Sequence, residues 1–161
     1  MVGTGVILTP VASSKSTNRE LVAFEVATRD LVGVALRSVT DLEVSLPQFR
    51  LLWVLDEMGE VGATRCAEEL GVAGSSVTRL VDRLHASGHL DRRSDPANRS
   101  AVVLALTGVG REVVEQVKQR RRDELTTALA RLSRDERERC VAALERLHEV
   151  IEASGDPRVP Y

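Results

Sequence analysis

The sequence predicts a mainly α-helical fold with one small β-hairpin. Over most of the 161 residues, the apolar side chains recur at the three- and four-residue spacing of amphipathic helices. Two short runs after Gly88 have strand-like character instead, the second of them continuously apolar, with turn-forming residues between them. Only 2% of the residues are aromatic whereas 43% are hydrophobic, a composition that favours helices over a β-sandwich. A chain of this length buries one sizeable core, so a single domain is expected.

The amino-terminal part is predicted to contain an arm and two helices. Residues 1–18 are rich in Ser, Thr and Gly and have no sustained apolar period, which indicates a flexible arm. A first helix is expected from about Arg19 to Val39. A second helix begins near Pro47, because proline is favoured in a first turn, and Gly59 and Gly62 mark the break after it.

Two short helices follow this break, and both are expected to stop at a glycine. The first runs from about Ala63 to Leu70 and ends at Gly71. The second runs from about Gly74 to Ser87, and Gly88 then takes the C′ position, which favours a left-handed backbone.

The hairpin is predicted from His89 to Arg93 and from Ala101 to Leu106. Between these runs lies Ser94–Ser100, which contains Asp-Pro and Asn as turn formers. Earlier in the chain, Val61 is expected to form a minimal strand.

Two long amphipathic helices are expected to complete the chain. Thr107 is the predicted N-cap of a helix to about Leu129, and Ser133 with Glu136 is predicted to form a capping box for a helix to about residue 153. Long terminal helices of this kind are suited to dimerisation.

The order helix, tight turn, helix and hairpin is typical of a winged helix-turn-helix, whose second helix enters the major groove of DNA. In Gly74–Ser87, the residues expected to face the core are Val77, Leu80, Val81 and Leu84. Asp82 faces outward and is expected to pair with an arginine of the chain. Hydroxyls near a helix N-terminus can contact phosphates or base edges, and arginine suits a bidentate contact with guanine. The predicted DNA contacts of this helix are Ser75, Ser76, Thr78, Arg79 and Arg83.

Three arginines of the hairpin extend the predicted DNA surface. Arg99 at the tip is placed to enter a minor groove, where narrow A·T-rich segments have enhanced negative potential, and Arg92 and Arg93 are expected to face phosphates. The formal net charge of −2 argues against nonspecific binding of nucleic acid, which requires a broadly basic surface. From residue 75 to residue 100, however, five arginines stand against three aspartates, so this stretch alone is modestly basic.

Over about residues 20–153 the chain resembles the multiple antibiotic resistance regulator (MarR) family of bacterial transcription factors. The motifs that carry the resemblance are Ala67-Glu68-Glu69-Leu70-Gly71-Val72, Ser76-Val77-Thr78-Arg79-Leu80-Val81-Asp82-Arg83-Leu84 followed by Gly88, Asp95-Pro96, and Leu106-Thr107 with Gly110. As a set these motifs are specific. The wing departs from the family pattern, since many members have Asp-x-Arg, which braces the turn, where this chain has Asn98-Arg99-Ser100.

The resemblance implies a homodimer in which two winged helix-turn-helix lobes bind pseudo-palindromic double-stranded DNA. On this basis residues 19–161 form one domain, with dimerisation helices in residues 19–46 and 108–155 and the DNA-binding lobe in residues 47–107. The resemblance further implies a repressor of neighbouring genes, relieved by a small aromatic or phenolic effector or by cysteine oxidation.

Effectors of the family commonly bind between the dimerisation helices and the lobe. In that region the chain offers Phe24, Phe49, Arg50 and Trp53 as candidate contacts, since an effector pocket needs apolar walls with a few polar anchors. Aromatic residues at helical spacing are more often part of a core than of a pocket, and both interpretations remain open.

No cofactor, metal site or enzymatic active site is predicted. Cys66 and Cys140 lack the spacing of zinc ligands and are expected to be buried and reduced. His85 and His89 are four residues apart, but Gly88 interrupts the helix, so two solvated histidines are expected rather than a ligand pair. The sequence has no Gly-rich phosphate loop, no nucleophile beside a base, and no paired carboxylates outside solvated helix faces.

Two other functions are left open by the sequence. The net acidity is compatible with a winged-helix protein–protein interaction module that does not read DNA, and the two cysteines with a redox-sensing regulator. No stretch approaches the roughly 18 uninterrupted apolar residues of a membrane span, and Met1–Thr17 lacks the basic flank of a signal peptide. A cytoplasmic protein without membrane contact is therefore expected.

Overall fold

A computed structural model describes residues 16–94 and 102–153. Its elements are α1 (Asn18–Ser38), α2 (Leu46–Met58), α3 (Ala63–Leu70), α4 (Gly74–Ala86), β1 (Leu90–Ser94), β2 (Val102–Leu106), α5 (Gly108–Leu129) and α6 (Arg134–Ala153). The mainly helical fold with one hairpin is thereby confirmed. The predicted element ends agree with the observed ones to within a residue.

The chain divides into two units between Gly33 and Val34, inside α1. In the first unit, α1 is preceded by a cap in which Thr17 N donates to Glu20 Oε2 at 2.6 Å and Glu20 N donates to Thr17 Oγ1 at 3.3 Å. Hydrogen bonding of the carboxylate by the backbone and the side chain of Thr17 stabilises its charged form and lowers the pKa of Glu20. Phe24, one of the candidate effector residues, is exposed in this unit.

The core of the second unit is built around α2, which contacts α3, α4, α5 and β2. A helix surrounded on most sides has to be apolar on most sides. The buried residues of α2 are accordingly Phe49, Leu51, Leu52, Val54 and Leu55. Pro47 lies in the first turn, as predicted, and the helix ends at Gly59, whose φ of 75° suits a residue without a Cβ.

Helices α3 and α4 end at the predicted glycines. Gly71 has a φ of 65° and Gly88 a φ of 77°, in the region that favours glycine. Gly88 N donates to His85 O at 3.0 Å and His89 N donates to Leu84 O at 2.9 Å. This pair of hydrogen bonds is a Schellman motif. His89 therefore completes the cap of α4, and the prediction that the strand starts at His89 was one residue early.

The hairpin is antiparallel, with Leu90 of β1 opposite Leu106 of β2. On its other edge β2 forms a single bridge from Leu104 to Val61, which confirms the predicted minimal strand. The hairpin tip, residues 95–101, lies outside the described residues.

Helices α5 and α6 begin at the predicted caps. Thr107 Oγ1 accepts a hydrogen bond from Gly110 N at 3.1 Å, and Ser133 N donates to Glu136 Oε2 at 2.8 Å. Helix α5 packs on α2, whereas α6 contributes no buried residue. In the part of the chain that the structure describes, no helix combines the length and the apolarity that a membrane span requires.

Candidate nucleic-acid interface

Helix α4, which we call the recognition helix, presents a polar face to solvent. Val77, Val81 and Leu84 are buried on its opposite side, where it packs against α2 and α3. The residues predicted to point outward are all exposed: Ser75, Ser76, Thr78, Arg79, Asp82 and Arg83. Three apolar residues at helical spacing thus orient the helix, and this leaves its polar face available to a groove of DNA.

The first turn of the recognition helix carries free hydroxyl groups. Ser76 N donates to Ala73 O at 2.9 Å, so the helix begins at Gly74 on backbone hydrogen bonds alone. Thr78 Oγ1 donates to Gly74 O at 3.1 Å, which leaves only its lone pairs for an outside donor. The hydroxyls of Ser75 and Ser76 have no hydrogen-bond partner within the described residues and remain able to donate to a phosphate.

Arg79 and Arg83 lie one turn apart on the exposed face. Within residues 16–94 and 102–153, neither guanidinium group forms an ion pair. Both border an open groove of about 290 Å³. The groove is lined by Pro47, Arg50, Leu70, Val72, Ser76, Arg79, Leu80 and Arg83. Guanidinium groups around an apolar floor are suited to bind a phosphate or a carboxylate.

The described arginines of the wing hairpin (β1 and β2) are held by carboxylates. Arg92 Nη2 donates to Asp82 Oδ1 of the recognition helix, and Arg93 Nη1 donates to Glu60 Oε1 at 2.6 Å. The expected intramolecular role of Asp82 is therefore confirmed. Phosphate contacts from Arg92 and Arg93 stay predictions, and the predicted tip contact, Arg99, lies outside the described residues.

The aromatic candidates for effector binding differ in their surroundings. Phe49 is 1% exposed and belongs to the core, and its ring centroid lies 5.9 Å from that of Trp53. Trp53 is half-buried, with Lys118 Nζ 5.6 Å and Arg121 Cζ 5.3 Å from its ring centroid. The interpretation as core thus applies to Phe49, whereas Trp53 stands between the core and two cations.

The sequence did not predict the charged group beside Trp53, which consists of Lys118 and its partners Asp56 and Glu115. Lys118 Nζ donates to Asp56 Oδ2 at 2.6 Å and to Glu115 Oε1 at 3.0 Å. These hydrogen bonds raise the pKa of Lys118, and the bond to Asp56 contributes most. The i,i+3 spacing of Glu115 and Lys118 is visible in the sequence, but the link to Asp56 joins α2 to α5 and has no local signal.

The two cysteines lie in opposite environments. Cys66 is completely buried in α3, as predicted, and desolvation raises the pKa of its thiol to about 11. At neutral pH this thiol is therefore almost wholly protonated and a poor nucleophile. Cys140 is exposed, so the prediction that both cysteines are buried was wrong for Cys140. The reason is that α6 buries none of its residues in the single chain.

The two histidines at the end of the recognition helix do not form a ligand pair. His85 is exposed, and its Nδ1 lies 2.9 Å from Leu90 O. His89 is only 4% exposed; its Nδ1 lies 2.9 Å from Ser87 Oγ, and its Nε2 has no hydrogen-bond partner in the described part of the chain. The expectation of two solvated histidines was thus wrong for His89, because the helix cap after Gly88 directs the His89 side chain into the interior of the lobe. Among the described residues, no group of three or more His, Cys, Asp or Glu side chains is suited to a metal ion.

Known proteins resemble this chain in sequence and in fold. The MarR family profile matches residues 44–102. The multiple antibiotic resistance protein MarR of Salmonella typhimurium is 30% identical over 110 residues, which are 68% of this chain and 74% of that protein. The crystal structure of RV1404 from Mycobacterium tuberculosis is 34% identical, with a TM-score of 0.77 over 87% of this chain and 97% of that chain.

A more distant match is a mutant of S. aureus MepR bound to an oligodeoxyribonucleotide. It is 20% identical, with a TM-score of 0.64 over 81% of this chain and 96% of that chain, and it shows the shared fold. The profile match begins before α2 and extends to the start of β2, so it spans the elements that carry the recognition helix. The chain belongs to the MarR family of winged helix-turn-helix transcriptional regulators.

Proposed function

We propose that the protein is a sequence-specific repressor that binds a pseudo-palindromic operator as a homodimer. The observation that carries this proposal is the exposed face of the recognition helix, where Arg79 and Arg83 lie one turn apart without an ion pair among the described residues. Guanidinium groups in the major groove suit the N7 and O6 acceptors of guanine. The oligodeoxyribonucleotide bound to MepR supports the use of this fold in DNA binding. Repression is proposed because most members of the family are repressors.

The homodimer is supported by apolar surface that the single chain leaves uncovered. On α6, Val141, Leu144 and Ile151 are 52%, 51% and 57% exposed. The exposed apolar residues of α1 are Leu21, Val22, Phe24, Val26, Leu31, Val32 and Leu36. Monomeric proteins rarely expose apolar patches of this extent, and the occupant we propose is a second copy of the chain. Two lobes then present two recognition helices to half-sites about one turn of DNA apart.

Relief of repression is proposed to come from a small aromatic acid. The groove beside the recognition helix combines apolar side chains with Arg50, Arg79 and Arg83. A carboxylate bound there occupies the arginines that DNA needs, so the ligand favours the DNA-free state and lowers operator affinity by linkage. The half-buried ring of Trp53, flanked by Lys118 and Arg121, is a second location for such a ligand.

Two alternative functions predict different behaviour. A protein–protein interaction module has no salt-dependent affinity for DNA, whereas a regulator that neutralises several phosphates loses affinity steeply with salt. A redox sensor needs a thiolate near neutral pH. The pKa of about 11 opposes this role for Cys66, which leaves the exposed Cys140 as the thiol on which the redox alternative depends.

Anisotropy titrations with double-stranded DNA test the proposal. A fragment from upstream of the protein's own gene that contains a pseudo-palindrome is expected to bind more tightly than a shuffled fragment of equal length.

Arg79→Ala is expected to weaken the free energy of binding to the operator by about 1 to 3 kcal/mol, because it removes a bidentate base contact, and to weaken binding to the shuffled fragment less. Adding candidate aromatic acids to the same titration tests effector relief.

The matched control is Arg134→Ala, which removes the same charge from α6. Arg134 is exposed and pairs only with Glu138, at 2.8 Å, among the described residues, so its loss is expected to leave operator affinity unchanged. Equal binding of palindromic and shuffled DNA at physiological salt would refute the proposed function. Equal losses in the two variants would refute the role of Arg79.

A further inference from the structure

Arg92 and Arg93 are neighbours on β1, and each is bound by a carboxylate from a segment outside the hairpin. Successive side chains of a strand point to opposite faces of the sheet. Arg92 accordingly reaches Asp82 on the recognition helix, whereas Arg93 reaches Glu60, which precedes the bridge residue Val61. The base of the wing hairpin is thus tied on both faces.

The Arg92 pair continues the apolar packing of the hairpin. Leu90 and Arg92 share one face of β1, opposite Leu106 and Leu104 of β2. The three leucines of this face are buried, so the face lies against the core of the lobe. The side chain of Arg92 is 40% exposed, compared with 51% for Arg93. Arg92 extends the packed face as far as Asp82, at the exposed edge of the recognition helix.

We propose that Asp82 and Arg92 are positioning residues, which set the angle between the wing hairpin and the recognition helix, rather than DNA contacts. The inference rests on the proposed function, because this angle affects affinity only if both elements bind the same duplex. A hairpin that is fixed before binding loses less conformational entropy when the complex forms. Arg92 is then a brace, in contrast to Arg79 and Arg83, which are left without carboxylate partners in the described residues.

The two roles for Arg92 predict opposite effects of neutralising Asp82. If Arg92 contacts a phosphate, Asp82→Asn releases a cation and removes a negative charge near DNA, so affinity increases. If the pair is a brace, the same substitution loosens the hairpin, so affinity decreases although the net charge becomes more favourable. The sign of the change therefore separates the two roles.

Hydrogen exchange of the DNA-free protein tests the brace itself. In Asp82→Asn, in Arg92→Gln and in the double variant, the amides of β1 are expected to exchange about three to five times faster, the effect of losing one exposed ion pair. The double variant is expected to equal each single variant, because all three remove the same pair. Glu68→Gln is the matched control: it removes one negative charge from α3, where Arg65 keeps Glu69 as a partner. Unchanged exchange of β1 in Asp82→Asn would overturn the proposal.

Operator titrations test the effect of the brace on DNA binding. They are made at a temperature below the lowest unfolding midpoint of the variants. Asp82→Asn and Arg92→Gln are each expected to bind about three to five times more weakly, with an unchanged dependence on salt. Two results would show that Arg92 contacts phosphate and would overturn the proposal. One is tighter binding by Asp82→Asn. The other is a slope of log affinity against log salt concentration that is smaller by about 0.9 in Arg92→Gln. If the wild-type protein binds no operator, the proposed function fails, while hydrogen exchange still decides whether the brace exists.

Discussion

Leu144→Glu is expected to convert the proposed dimer into a monomer and to weaken operator binding by about 100-fold or more. Leu144 lies on the apolar face of α6 together with Val141 and Ile151, and all three are about half exposed in the single chain. A carboxylate buried in an apolar interface without a partner is strongly unfavourable. The resulting monomer binds one half-site and loses the gain of two linked sites, which is about 10² to 10⁴. Sedimentation equilibrium measures the mass, and anisotropy measures the affinity.

Ala142→Glu is the matched control, because it introduces the same charge on the opposite face of α6. Ala142 is exposed and lies between Arg139 and Arg146, on the polar side of the helix. This variant is expected to stay dimeric and to bind the operator normally. Since α6 buries no residue in the single chain, Leu144→Glu is expected to leave the lobe folded, which circular dichroism checks. A dimeric Leu144→Glu with normal operator affinity would show that α6 is not the interface.

Gly110→Ala is expected to destabilise the protein by about 3 kcal/mol, which lowers the unfolding midpoint by about 6 to 12 °C. A Cβ at Gly110 would overlap the backbone oxygen of His89. This carbonyl has little freedom to move, because it accepts a hydrogen bond from Thr107 N at 3.2 Å and because His89 N is bonded to Leu84 O. The substitution therefore forces apart the end of the recognition helix and the start of α5. Chemical denaturation measures the change.

Gly108→Ala provides the comparison for Gly110→Ala, in the same turn of α5. A Cβ at Gly108 meets no atom within 4 Å, so alanine is expected to be neutral or to stabilise by up to about 1 kcal/mol through reduced backbone entropy of the unfolded chain. Both variants are compared at one protein concentration, because the unfolding midpoint of the proposed dimer depends on concentration. If the two variants changed stability equally, the close approach of α5 to His89 would be disproved.

The helix ends could be predicted from the sequence because their chemistry is local. Thr107 caps α5 through a residue three positions away, and Ser133 and Glu136 cap α6 in the same way. Gly71 and Gly88 supply the positive φ that ends α3 and α4. The outward face of the recognition helix was equally predictable, since the spacing of its apolar residues determines which side is buried.

Contacts between distant segments could not be predicted in this way. Lys118 and Asp56 are 62 positions apart, and only the packing of α5 on α2 brings them together. Arg92 and Asp82 are 10 positions apart, yet their pairing depends on the angle between a hairpin and a helix. His89 was expected in solvent as one of two histidines at a helix end, whereas the cap geometry after Gly88 determines its burial.

Cys140 shows a different limit of sequence patterns. Its place beside the apolar face of α6 led to the expectation of burial, but this face is exposed in the single chain. An apolar stripe indicates that a helix is to be covered and does not identify what covers it. In this protein the pattern on α6 is consistent with a contact to a second copy.

Dimethyl sulfate protection of the operator tests most directly whether the recognition helix occupies the major groove. This reagent methylates guanine N7, which lies in the major groove, and adenine N3, which lies in the minor groove. We expect the wild-type protein to protect guanine N7 in both half-sites, and Arg79→Ala to lose protection at one guanine of each half-site. Binding that left every guanine N7 as reactive as in free DNA would contradict the assignment of α4 as the recognition helix.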